Sequence, residues 1–125
     1  MATAGKRPPY IEIPILNSEY AVRAFCGGAK SCLDVIRGCG YEVDEKEIDF
    51  SHFRGLCLTE SGSHPFILLP SKPKSPAELG TLAHEAVHAL FDVCRMSEVY
   101  NEEFAASSVG AIVRCSLEAW SSKTE

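Results

Sequence analysis

The sequence predicts an α+β fold in a single domain: a small, mainly antiparallel sheet packed on two C-terminal helices. Short apolar runs of β character fall within the first 70 residues, a proline-rich stretch at 70–74 follows, and two segments of helical periodicity complete the chain. A chain of 125 residues has room for one modest core. The domain is expected over 10–120, behind a disordered lead-in at 1–9 and ahead of a fraying tail at 121–125.

Residues 10–16 place Ile11, Ile13 and Ile15 at alternate positions, the period of a strand, and Pro14 restricts that strand to an edge or a bulge. Asn17-Ser18 is an N-cap signal. The segments 19–26 and 29–37 then read as helix, bent or broken by Gly27-Gly28 and closed by Gly38-Cys39-Gly40. The acidic run 42–47 reads as a solvated connection. Two β-like runs, 54–60 and 65–69, flank Ser61-Gly62-Ser63-His64 and form a hairpin. Ser75-Pro76-Ala77-Glu78 combines an N-cap serine, a proline at the first helical position and a glutamate at the third. A helix therefore begins at Pro76 and runs past His88 to near Cys94. A second helix covers 102–120.

Composition narrows the partners. A net charge of −5 with dispersed lysines and arginines argues against a nucleic-acid or anionic-membrane surface. No apolar run approaches the ~20 residues of a membrane span. The first residues lack the apolar stretch of a secretory signal, so a cytoplasmic location is expected. The six cysteines (26, 32, 39, 57, 94 and 115) contain no C-x-x-C pair and read as reduced thiols, mostly small core residues.

The chemistry concentrates at His84-Glu85-Ala86-Val87-His88. On a helix, residues four apart lie on one face about a turn apart, so two imidazoles at this spacing grip one metal ion. Glu85 beside them is a carboxylate able to take a proton from a water at that ion. At 100° per residue, Leu79, Leu82, Ala83, Ala86, Val87, Leu90 and Val93 form one apolar face. Thr81, His84, Glu85, His88 and Asp92 fall on the remaining polar arc. The histidines are therefore off the core face, where either a metal pair or a solvated helix surface would place them.

A hydrolytic zinc site takes three protein ligands and keeps one position open. His52 and His64 both precede the helix and are not obvious third ligands. The second helix carries a narrow polar stripe of Glu103, Ser107, Gly110, Arg114 and Glu118, and packing that stripe beside the histidines brings up Glu103. Glu102 points with Ala106, Val109 and Val113 into the apolar side. A boundary shift of one residue would exchange the two.

His84-Glu85-x-x-His88 followed by a helix opening Asn101-Glu102-Glu103, with Gly110 seven positions on, resembles the gluzincin metallopeptidases. The block 82–89, with Glu103, Ala106, Val109-Gly110 and Ile112-Val113-Arg114, is also similar to small zincin-like proteins encoded by tailed bacteriophages and prophages. The resemblance covers about 75–114. It implies a minimal zincin-like domain with one Zn²⁺ held by His84, His88 and Glu103, or Glu102 in its place, and Glu85 as the catalytic base. Where gluzincins often carry an aspartate that orients a ligating histidine, this chain has Ser107. Asp92, Tyr100 and Ser107 are the groups expected to support a ligand or meet substrate. Large gluzincins use a second lobe to stabilise the oxyanion; here Tyr100, His64 and Arg114 are the substitutes.

Two functions follow. The first is a zinc metallopeptidase acting on a peptide or protein substrate in the cytoplasm, the host cytoplasm for a phage protein. The second is a zinc-bound interaction module with little or no turnover, which small size and the missing oxyanion lobe favour.

Overall fold

The computed structural model describes residues 9–16, 18–60, 62–98 and 101–121. Its elements are β1 (Ile11–Pro14), β2 (Ala21–Cys26), α1 (Ala29–Gly38), a 3-10 turn (Glu45–Glu47), β3 (Leu56–Leu58), β4 (Phe66–Leu69), α2 (Pro76–Ser97) and α3 (Glu102–Ser121). The architecture is α+β, as the sequence predicts. The sheet has four strands in the order β1-β2-β4-β3. The sheet is mixed rather than simply antiparallel: β1 pairs antiparallel with β2 and β3 antiparallel with β4, but the central pair β2–β4 is parallel.

That parallel pair changes the expected layout. Parallel neighbours need a crossover connection, and α1 lies within it. Most of the segment 19–26, expected to be helical, is instead the inner strand β2, Ala21–Cys26. Its alanines, Glu19 and Arg23 favour helix in isolation, but hydrogen bonding to β1 on one side and β4 on the other overrides that preference. Pro14 ends β1 at the sheet's outer edge, where its missing N–H costs no ladder bond.

β4 reads Phe66-Ile67-Leu68-Leu69, an unbroken apolar run of the kind that a strand covered on both faces requires. Phe66 and Leu68 join Cys32, Leu33 and Ile36 of α1 in one core. Ile67 and Leu69 join Leu82, Ala86, Leu90 and Val93 of α2, with Ile112 and Trp120 of α3, in the other. Helices thus cover both faces, α1 on one and the C-terminal pair on the other. Each fully buried side chain of this size contributes roughly 1.5–3 kcal/mol.

The α2 start matches its sequence signal. The Ser75 hydroxyl accepts from the Glu78 N–H at 3.1 Å, and Glu78 Oε1 accepts from the backbone of Ser75 at 3.1 Å and of Lys74 at 2.7 Å. This reciprocal cap sets the helix phase for everything downstream. Among the described residues no helix is long and apolar enough to cross a membrane, and all six cysteines are free thiols.

Candidate metal centre and adjoining cleft

His84 and His88 stand together on the exposed side of α2, their rings edge-to-face at a centroid separation of 4.7 Å. Their Nε2 atoms are 3.2 Å apart, within range of a hydrogen bond in which one ring donates to the other. The same distance suits chelation. Two nitrogens each about 2.05 Å from one tetrahedral ion lie ~3.3 Å apart. The separation of the pair is therefore one that two nitrogens on a single zinc ion would have, and the two supply part of a donor set.

Glu85 does not lie on the polar arc with them, as 100° spacing suggested. It is only 7% exposed and belongs to the buried side of α2 with Leu82, Ala86 and Ala89, while Leu79 and Val87 are 38% and 37% exposed. The buried sector is turned toward Glu85 because β3 and the loop before it pack on that flank. Gly55 marks the contact. A Cβ there would meet Thr81 Cγ2 at 2.8 Å, Leu69 Cδ2 at 2.9 Å and Glu85 Cγ at 3.3 Å, so only glycine lets the chain approach α2 this closely. Burial raises the Glu85 carboxyl pKa, with His84 and His88 pulling it back. The neighbouring Cys57 thiol is pushed up to about 12 by burial, with the Asp92 and Glu85 charges adding to it. It is an inert core thiol.

The other expected groups are placed as follows. Asp92 accepts from Thr59 Oγ1 at 2.5 Å and pairs with Arg95, so it ties α2 to the end of β3 instead of orienting a histidine. Glu102 and Glu103 are both exposed in the first turn of α3. Among the described residues no three of His, Cys, Asp and Glu come together as a metal-holding group. The reason is helix length: α2 continues to Ser97, nine residues and ~14 Å beyond His88, before the chain turns back. Ser107 and Arg114 are exposed on α3. His64 is engaged elsewhere, its Nδ1 accepting from the Ala21 N–H at 3.0 Å while its ring packs edge-on to Tyr20. Tyr100 lies outside the described residues.

Neither a family model, nor a curated protein, nor a solved structure matches this chain.

What the sequence reading missed is the opposite wall. His84 and Glu85 line a cleft of about 460 Å³ with Ala77, Gly80 and Thr81 of α2, and its far side is His52-Phe53-Arg54-Gly55. The available signal was the spacing of Asp49-Phe50-Ser51-His52, which favours a side-chain-capped turn. Asp49 accepts from the Ser51 N–H at 3.0 Å, from the Ser51 hydroxyl, and pairs with His52 Nδ1 at 2.8 Å. Among the described residues only the Nδ1 of His52 is hydrogen-bonded, and its Nε2 has no partner.

The Ser51 hydroxyl, then His52, hold the Asp49 carboxyl down at about 2, from an ordinary 3.8. A lowered folded pKa stabilises the turn above the ordinary value, and that contribution disappears as pH falls through about 2. Carboxyl NMR should therefore show Asp49 titrating near 2, and Ser51→Ala should move the midpoint back toward 3.8. A wild-type midpoint already at the ordinary value would refute the turn as described.

Proposed function

We propose that this protein is a zinc-dependent peptidase. The observation that carries the reading is a histidine pair at chelating separation, 3.2 Å between Nε2 atoms, with one of the two, His84, lining a cleft together with the buried carboxylate of Glu85. His84 and His88 would hold the ion; the gluzincin resemblance implies Glu103 as the third donor, which is not grouped with them among the described residues. When bound, Zn²⁺ supplies the positive charge that acidifies a water molecule and polarises a carbonyl. Glu85 takes the proton of the attacking water and delivers it to the leaving amine, and its raised pKa suits both transfers. β3, the outer strand on this side of the sheet, offers an edge along which an extended peptide aligns by backbone hydrogen bonds.

A second reading, a zinc-bound interaction module, is favoured by two observations. The third donor is not assembled among the described residues. Val87 and Phe91, on the same side of α2 as His88, are 37% and 49% exposed. Metal analysis of protein purified without a polyhistidine tag, combined with mass-spectrometric profiling of a peptide mixture, separates the readings. The peptidase requires about one zinc per chain and new peptide termini. Zinc without cleavage selects the interaction module. No zinc after supplementation removes both.

A further inference from the structure

Two clefts meet at Arg54. One holds His84 and Glu85; the other, about 410 Å³, opens beside it and is walled by Phe50, Leu69, Pro70 and Pro73. Ala77 and Thr81 of α2 line both and supply a floor of small side chains between them. Arg54 also lines both, is exposed, and has no hydrogen-bond or ion-pair partner among the described residues. The acidic residue of the second cleft, Glu78, is already committed to the backbone of Lys74 and Ser75.

The backbone that carries Arg54 is set in place by the next residue. Gly55 is pressed against Thr81 and Leu69 so closely that a Cβ would not fit, which anchors the chain one residue from Arg54. A fork of N–H donors held at the junction of an apolar pocket and a polar cleft is complementary to a carboxylate carried next to an apolar side chain.

We propose that Arg54 anchors the free C-terminal carboxylate of a peptide whose last side chain, large and apolar, fills the pocket of Phe50, Leu69, Pro70 and Pro73. The inference rests on the peptidase reading and specifies its substrate class. With the terminal carboxylate on Arg54, the preceding peptide carbonyl lies one residue, ~3.5 Å, upstream, and the chain leads toward His84 and Glu85. Hydrolysis there releases the last residue. The water oxygen bonds to the carbonyl carbon, the C–N bond breaks, and the water proton taken by Glu85 passes to the departing amine.

The test uses the zinc-supplemented Glu85→Gln protein, so that binding is read without turnover. It is titrated with acetyl-Ala-Ala-Phe as the free acid and as the C-terminal amide, and with acetyl-Ala-Ala-Ala as the free acid. The free acid of the Phe peptide should bind at least about tenfold more tightly than its amide, a ratio that Arg54→Ala reduces to about one and Arg54→Lys restores in part. The Ala peptide should bind several-fold more weakly than the Phe peptide in every variant. Equal affinity for acid and amide, no binding of either, or a ratio that survives Arg54→Ala overturns the anchor. Preference for an internal Asp in an amidated peptide also overturns it. In the active protein, Arg54→Ala should raise KM for the free acid about tenfold and leave kcat within about twofold, as loss of an anchor requires. Arg54-dependent binding without release of phenylalanine would remove the peptidase reading and keep the anchor. Cleavage of amidated peptides indifferent to Arg54 would do the reverse.

Discussion

On the peptidase proposal, Glu85→Gln should lower peptide hydrolysis by about 10²–10⁴-fold, the usual worth of a positioned general base, while zinc content stays at the wild-type level. The two effects separate because Glu85 does not share a direction with the histidines. Its side chain is buried toward Gly55 and Cys57, whereas His84 and His88 stand on the exposed side of α2 with their Nε2 atoms facing each other. Glutamine has nearly the shape of glutamate, so the packing against Gly55 survives and only the basic oxygen is lost. Burial raises the wild-type carboxyl pKa, so the neutral amide removes a desolvation cost, and the variant should fold at least as stably as wild type. Undiminished hydrolysis by the variant would exclude Glu85 as the base. Zinc lost together with activity would place Glu85 among the ligands instead.

The second large effect is structural. Gly55→Val should destabilise the fold by about 1–3 kcal/mol and reduce activity with it. Even the first added carbon meets Thr81 at 2.8 Å and Leu69 at 2.9 Å, both on elements that the core holds still, and the valine methyls extend further. The loop must then lift away from α2, which moves Arg54 and opens the packing around Glu85. Gly38→Ala is the control: it sits at the end of α1 with nothing within 4 Å of its added carbon, and the unfolding midpoint should not fall. A Gly55→Val protein that melts with wild type would mean that the loop does not rest on α2 as described.

How much of this was legible beforehand depends on how local each signal is. The start of α2, expected at about Pro76, was readable because a capping box satisfies its hydrogen bonds within four positions of the chain. Pro14 left β1 an edge or a bulge, of which the edge is found, and the β3–β4 hairpin followed from two apolar runs around a turn. β2 was not readable. Ala21-Val22-Arg23-Ala24 is a strand because β1 and β4 flank it, and β4 is more than forty residues away in the chain. Glu85 was misplaced for a related reason. Helical periodicity divides α2 into faces, but it cannot say that Gly55 and β3 would cover one shoulder of the polar arc. The candidate site shows the same division. The histidine pair is a property of one helix turn, whereas His52 and Arg54 come to share a cleft with His84 only through tertiary packing.

The two walls of the cleft also differ in what they contribute to the rest of the molecule. Leu82, Ala86, Ala89 and Leu90, interleaved with the motif on α2, are wholly buried, so changing that wall changes the fold. His52, Phe53 and Arg54 opposite are exposed, and only the glycine after them is tightly packed. Selection can therefore rewrite three successive positions that share a cleft with His84 and Glu85 at little cost in folding. On the peptidase proposal, substrate preference in this domain can diverge while the chemistry of the α2 wall stays constant.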